Sequence, residues 1–382
     1  MASLTTNTAA DILQQPPGLN LLEALETELH QIKTRSNGGK RYQLQKYLGG
    51  NQGISAVVLA KDTHLGAVAL KFVAARDDKT RGRFVREVAM LARVAHPNVV
   101  STVGGDEPLV SEDQTLMIVV LEYLPGRSVD HLVRDLGTLD ESHVILMAMD
   151  VLSGLIHVHE KGVIHKDIKC LNILCGDTGY KLADFGISSI DKSAAADVSS
   201  TMKAFPNTED TGTMHYMSFE QLSQEDNIDF RTDLWSLGVV MYRCLSGKFP
   251  FGHDTKVAQQ ICLEIERSSG LERLPNVSNQ LAAILDKALQ KKKEDRFKSA
   301  GDMLEALQPL AKLARPLPPG CDYHFFLCKH ELLGKADTMV VYHELRSRGW
   351  KVWISNNVET PNKAAMVQGA KRSAVCIIFL TH

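Results

Sequence analysis

The alternation of hydrophobic and polar positions changes character several times along the chain. Residues 1–19 carry no periodicity and close on Pro16 and Pro17, so no structure is expected there. Asn20 is placed as a helix N-cap. Leu22, Leu25, Leu29 and Ile32 follow at three- and four-residue spacing, on one stripe of a short amphipathic helix. Ser36, Asn37, Gly38 and Gly39 end this N-terminal segment, 1–40, in turn chemistry. Strand patterns follow at 42–50 and 57–61, then a helical pattern over 83–91 with Phe84, Val88 and Leu91 on one side. The nearly continuous apolar run 116–121 reads as a buried central strand. A long helix is predicted over 141–160, with Val144, Met147, Ala148, Val151, Leu155 and Val158 on one stripe, and further helices run to 313. Arg315-Pro316-Leu317-Pro318-Pro319-Gly320 marks a stiff linker, 314–320. Beyond it, strands at 323–327, 351–354 and 374–380 alternate with helices at 337–348 and 363–372. Alternating βαβαβ with buried strands implies a small parallel α/β sheet of the flavodoxin-like kind.

Composition narrows the setting without naming the chemistry. A net charge of −2 over 382 residues provides no global field for nucleic acid or an anionic membrane, so neither is expected as a partner. No apolar run approaches the roughly 20 residues of a membrane helix. The polar, uncharged first ten residues do not read as a secretory signal, and Ala2 excludes myristoylation. The seven cysteines are odd in number and lack a Cys-x-x-Cys pair, which points to reduced thiols and a cytoplasmic location.

Candidate chemistry concentrates in His165-Lys166-Asp167-Ile168-Lys169-Cys170-Leu171-Asn172. Phosphoryl transfer needs a carboxylate to orient the attacking hydroxyl, a cation on the moving phosphate and a ligand for magnesium. Asp167, Lys169 and Asn172 offer all three within six residues, and Asp184-Phe185-Gly186 adds a second carboxylate in a tight turn. Val68-Ala69-Leu70-Lys71 puts a lysine on a buried strand, where it is costly unless paired. Glu87 lies on the helix flanked by Phe84, Val88 and Leu91. This ordered set resembles the protein kinase family, with His-Lys-Asp where most members carry His-Arg-Asp.

The resemblance implies an α+β bilobal protein kinase fold over 42–313, using ATP and Mg2+. It makes Lys71 the holder of the α- and β-phosphates and Glu87 its ion-pair partner. Asp167 becomes the base or orienter of the substrate hydroxyl, and Lys169 the stabiliser of the transferred phosphoryl, as in serine/threonine kinases. Asn172 and Asp184 become the magnesium ligands. The family's phosphate loop reads Gly-x-Gly-x-x-Gly-x-Val. Counted back from Val57, only Gly50 falls on a glycine position; Gln52 and Ser55 take the others, and Gly53 is displaced by one. Glu122-Tyr123-Leu124-Pro125-Gly126 resembles the connection between the lobes. There the Glu122 carbonyl and the Leu124 backbone would bond the adenine edge, Val57, Ala69 and Leu174 would sandwich the ring, and Leu121 would be the gatekeeper. Lys166 stands where the family's arginine clamps a phosphate, and Glu209 or phosphorylated Thr208 is its expected partner. Phe219 replaces a proline, Glu220 is expected to pair with Arg296, and Asp233 to bond the backbone of the catalytic loop. His157 and His159 diverge on their helix and read as structural. Cys170 and Cys175 read as inert core thiols, and Lys291-Lys292-Lys293 as a solvated turn.

In the tail, Tyr323-His324-Phe325-Phe326-Leu327-Cys328-Lys329-His330, Leu345-Arg346-Ser347-Arg348-Gly349-Trp350-Lys351-Val352-Trp353 and Ser373-Ala374-Val375-Cys376-Ile377-Ile378-Phe379-Leu380-Thr381 resemble the opening of a TIR domain. A truncated TIR-like domain is therefore expected over 321–382, serving self-association or TIR-type partners. The strand at 374–380 is expected to be under-covered: either it pairs with another molecule or the chain is an incomplete version of a longer one. The glutamate-bearing helix of catalytic TIR domains does not follow, so NAD hydrolysis is not expected. The principal reading is a serine/threonine protein kinase acting on protein substrates in signalling, with a TIR-like interaction module. The alternative is a kinase-shaped scaffold that binds ATP and assembles partners.

Overall fold

The structure, a computed structural model, describes residues 8–31, 41–51, 53–105, 108–176, 179–184, 213–255, 257–311, 323–328, 352–354 and 373–378. They belong to two compact units, 1–123 and 124–382.

In the first unit, β1 (Tyr42–Gly49), β2 (Ser55–Asp62), β3 (Gly66–Ala74), β4 (Leu109–Val110) and β5 (Leu116–Glu122) pair antiparallel in the order β1-β2-β3-β5-β4. Side chains alternate across the sheet and give it two apolar faces. Val58, Ala60, Leu70, Phe72, Ile118 and Val120 line one face and pack against Leu13, Leu21, Leu25 and Leu29. The last three belong to α1 (Leu19–Gln31), so this helix roofs the sheet. Val73, Met117 and Val119 line the other face against Phe84 and Val88 of α2 (Asp78–Arg93). The N-cap of α2 is Asp77, whose carboxylate accepts the Thr80 N–H at 2.8 Å.

Two expectations for the N-terminal segment change. The helix begins at Leu19, so Asn20 lies inside it, and its buried stripe is Leu21, Leu25 and Leu29. Residues Ala9–Gln14, expected to lack structure, form a 3-10 helix that buries Ala10 and Leu13. Its six residues, two turns of 3-10 helix, are too few to show a period. Its anchors are tertiary: the Ala9 N–H donates to Asp113 Oδ2 at 2.7 Å and the Ala10 N–H to Thr115 Oγ1 at 3.1 Å.

The second unit contains α3 (Val129–Leu136), α4 (Glu141–Glu160), the hairpin β6 (Ile173–Cys175) and β7 (Tyr180–Leu182), then α5 (Phe219–Leu222), α6 (Arg231–Ser246), α7 (Ala258–Arg267), α8 (Asn279–Ala288) and α9 (Ala300–Ala311). All six residues of the stripe expected on α4 are 0% exposed, packed where α4 meets α6 and α9. By length and composition α4 could cross a membrane, yet its apolar stripe is spent inside this unit. Trp235 of α6 is fully buried, stacked on Phe251 and lying under the Arg296 guanidinium. Lys291 and Lys292 are exposed in a bend, as expected of a solvated turn; within it the Lys291 ammonium lies over the Phe219 ring at 4.4 Å, and the Lys291 carbonyl accepts Arg296 Nη2 at 3.0 Å.

Toward the C-terminus, β8 (Tyr323–Cys328) pairs parallel with both β9 (Val352–Ile354) and β10 (Ser373–Ile378), in the order β10-β8-β9. Parallel neighbours need long crossover connections rather than tight turns. The helices expected at 337–348 and 363–372, and the linker 314–320, lie outside the described residues.

Candidate active site

Strand register assembles the first set of candidate residues. Val57 lies opposite Lys71, Lys71 opposite Val119, and Ala69 opposite Leu121. These five therefore share the sheet face that carries α2. Lys71 Nζ stands 4.0 Å from Glu87 Oε1, with both side chains largely buried, which is the expected ion pair at the long end of its range. Glu122 ends β5; its N–H donates to the Ser101 carbonyl at 3.0 Å and its carboxylate accepts the Ser101 N–H at 2.8 Å.

The turn between β1 and β2 explains its own glycines. Gly50 has φ of +135°, and a Cβ there would stand 2.4 Å from the Ser55 carbonyl oxygen. Gly53 has φ of +77°, the left-handed region. Ile54 and Ser55 both donate their N–H to the Asn51 carbonyl, at 2.9 and 2.8 Å, and Gly53 donates to the Leu13 carbonyl at 2.7 Å. Backbone conformation alone accounts for glycine at both positions.

In the second unit the catalytic-loop candidates form one network. Asn172 is buried, and its Nδ2 donates to the Asp167 carbonyl at 2.9 Å and to Asp167 Oδ2 at 3.0 Å. Lys169 Nζ stands 3.3 Å from the same Oδ2 and donates to Thr213 Oγ1 at 3.2 Å. The Ala183 N–H donates to the Asn172 carbonyl at 2.8 Å, which brings the start of the Asp184 turn beside Asn172. Asp184 is exposed with φ of +53°; Phe185 and Gly186 lie outside the described residues. Leu174 is half-buried on β6 and bridges to Ser128, while Leu124 is half-buried at the start of this unit.

The loop is held from behind. Asp233 of α6 accepts the His165 N–H at 2.9 Å and the Lys166 N–H at 2.8 Å, as expected, and His159 Nε2 joins it at 2.8 Å. Burial pushes the Asp233 carboxyl upward, but the bonds from His159 and the His165 N–H prevail and hold it below the usual carboxylate range. Burial also lowers the His165 ring, keeping it neutral: Nε2 donates to the Ala183 carbonyl at 3.1 Å and Nδ1 accepts the Asp167 N–H at 3.2 Å. Lys166 has φ of +63°, and burial pulls its ammonium down against the pull of Asp233. Thr208 and Glu209, its expected partners, lie outside the described residues. Glu220 and Arg296 form a buried bidentate pair at 2.7 and 2.8 Å. His159 was legible only as a structural residue, because its partner lies 74 positions away.

The donor set suits a hard cation. With Nδ2 of Asn172 committed to Asp167, its Oδ1 is the atom left for a metal, and Asp184 supplies a carboxylate. Two oxygen ligands fit magnesium, which keeps waters and phosphate oxygens in its shell. Among the described residues no group of three or more His, Cys, Asp or Glu forms a metal cage.

Comparison with known proteins shows the family of the chain. The model of the protein kinase domain matches residues 42–308, well over half of the chain. The chain is similar to the probable serine/threonine-protein kinase PknB of Bifidobacterium longum, 34% identical over 278 residues, 69% of this chain and 39% of that protein. It is similar to serine/threonine-protein kinase PknB of Mycobacterium leprae, 33% identical over 271 residues, 69% of this chain and 42% of that protein. The protein of the same name from Mycobacterium tuberculosis is 32% identical over 280 residues, 71% of this chain and 43% of that protein. The chain thus spans about two fifths of the length of the curated relatives it matches.

Proposed function

The chain belongs to the protein kinase family, as a protein serine/threonine kinase, and from that premise we propose how its residues act and on what. The substrates are serine or threonine hydroxyls of proteins, and the phosphate donor is ATP. The observation that carries the reading is the Asp167, Lys169 and Asn172 network. Asp167 accepts the hydrogen bond of the substrate hydroxyl and takes its proton. Asn172 and Lys169 fix the carboxylate's direction, so that it is oriented before the substrate arrives. Lys169 also lies against the phosphoryl group in transit, its ammonium positioned by donating to Thr213 Oγ1. Lys71, steadied by Glu87, holds the donor's phosphates. Asn172 and Asp184 would hold magnesium, which neutralises charge on those phosphates. Val57, Ala69 and Leu174 are assigned to the adenine ring, the Glu122 and Leu124 backbones to its edge, and Gly50 and Gly53 to the phosphate loop. The kinase domain is assigned to 42–313, and Lys166 to a charge at Thr208 or Glu209.

We further assign 321–382 to a TIR-like module for self-association or TIR-type partners. The strand motifs and the parallel order β10-β8-β9, with the first strand central, support it. Free thiols at Cys170, Cys175, Cys244 and Cys262 support a reducing, cytoplasmic setting.

The test is transfer of labelled phosphate from ATP, with magnesium, to a generic basic protein. Asp167→Ala is expected to reduce transfer by roughly 10²–10⁴-fold while the chain stays folded. No transfer by folded native chain, with ATP still raising its Tm, would favour the scaffold reading instead.

A further inference from the structure

We propose that residues 8–15 form a strap that positions the turn carrying Gly53, Ile54 and Ser55 for nucleotide, through the Leu13 carbonyl and a bridge made by Arg76. The proposal rests on the kinase reading, because it assumes that this turn faces the phosphates of ATP.

The turn's internal bonds occupy the amides of Ile54 and Ser55 but not that of Gly53. The Leu13 carbonyl takes it at 2.7 Å. Arg76, two residues past β3, reaches both partners: Nη2 donates to the Ala10 carbonyl at 3.3 Å and to Asp11 Oδ1 at 2.9 Å, and Nη1 to the Gly53 carbonyl at 3.5 Å. The strap is fixed in turn. Leu13 is 2% exposed within the sheet core, and the Ala9 and Ala10 amides are tied to Asp113 and Thr115. The Thr8 hydroxyl and amide both donate to Asp11, which orients the carboxylate that Arg76 meets.

The strap is therefore a permanent part of the first unit, and the turn is suspended from it. A loop ordered during folding need not be ordered again when a ligand binds, and that difference appears as affinity. Gly50 and Gly53 are both spent on turn geometry, and the bond to Leu13 adds a tether from outside the loop. Arg76 is a positioning residue: it touches the turn's carbonyl and the strap, and acts on nucleotide through Gly53.

The experiment uses the full chain with Arg76→Gln, Arg76→Lys and, as a second route to the same bond, Asp11→Asn. The readouts are the exchange rate of the Gly53 amide, KM for ATP, kcat and Tm. Arg76→Gln and Asp11→Asn are expected to raise KM for ATP roughly three- to tenfold, the scale of an exposed ion pair with its hydrogen bonds. Neither should alter kcat or Tm appreciably; both should speed Gly53 exchange, and Arg76→Lys should restore part of each effect. Unchanged Gly53 exchange would overturn the tether. Faster exchange with unchanged KM would make the strap structural only, and a lowered KM would make it a latch that holds the turn away from nucleotide. A native chain that neither binds ATP nor transfers phosphate would overturn the kinase reading and the strap's role in it. That failure is distinguishable, because Gly53 exchange is measured without nucleotide.

Discussion

Asp233 illustrates how much one buried side chain can organise. It is 0% exposed, yet its two oxygens accept the backbone amides of His165 and Lys166 and meet His159. Those amides belong to the residues just before Asp167, and Lys166 sits at φ of +63°, a conformation that a lysine does not hold without support. Asp233→Ala would leave buried donors without an acceptor. We expect a loss of about 2–4 kcal/mol in urea unfolding, with phosphate transfer falling more steeply than the folded fraction. Equal losses of folding and activity would make Asp233 a stability residue alone.

The β1–β2 turn and the strap set the behaviour of an element. A Cβ at Gly50 would collide with the Ser55 carbonyl, whereas at Gly53 there is open space and only the positive φ opposes a side chain. Gly53→Ala should therefore cost about 1–2 kcal/mol and Gly50→Ala more, as read by thermal unfolding; the reverse order would contradict the turn geometry. Strap anchoring also carries a pH dependence. Burial pushes the Asp113 carboxyl up, but bonds from Ser111, the Ala9 N–H and Thr115 outweigh it and bring it to about 2. A folded pKa below the unfolded value of about 3.9 gives stability that is complete above that value and lost as pH falls toward 2. Asp11 is lowered as well, first by the Thr8 N–H, then by the Thr8 hydroxyl and Arg76. Gly53 amide protection should accordingly weaken between about pH 4 and pH 2, and Asp113→Asn should flatten that change.

At the scale of the whole molecule, the sheet-based and helical units carry the kinase family's elements, and a separate parallel sheet follows. A net charge of −2 provides little long-range field, so association with other molecules must come from specific surfaces. If residues 321–382 are an interaction module, sedimentation velocity of the full chain should show concentration-dependent self-association. That association should persist in Asp167→Ala and vanish when β10 is broken by Val375→Pro. A monomer at all concentrations would leave only hetero-partners for this segment.

Where a signal repeats at short range, the sequence alone determined the outcome. The stripe on α4, the apolar run of β5 and the helix of Glu87 are legible, because period is a local property; the proximity of Asp167, Lys169 and Asn172 is likewise local, since they lie within six residues. The pairs Glu220–Arg296 and Lys71–Glu87 were legible only through family resemblance, since nothing local joins residues 76 or 16 positions apart. Tertiary structure alone decided the rest. Ala9–Gln14 has no period to read, and becomes a 3-10 helix because Asp113 and Thr115 lie beneath it. Gly53 looked like a misplaced glycine until its φ and its bond to Leu13 gave it a reason. His159 acquired its partner only when α4 met α6. A buried polar group must find a partner somewhere in space, and the chain order does not say where.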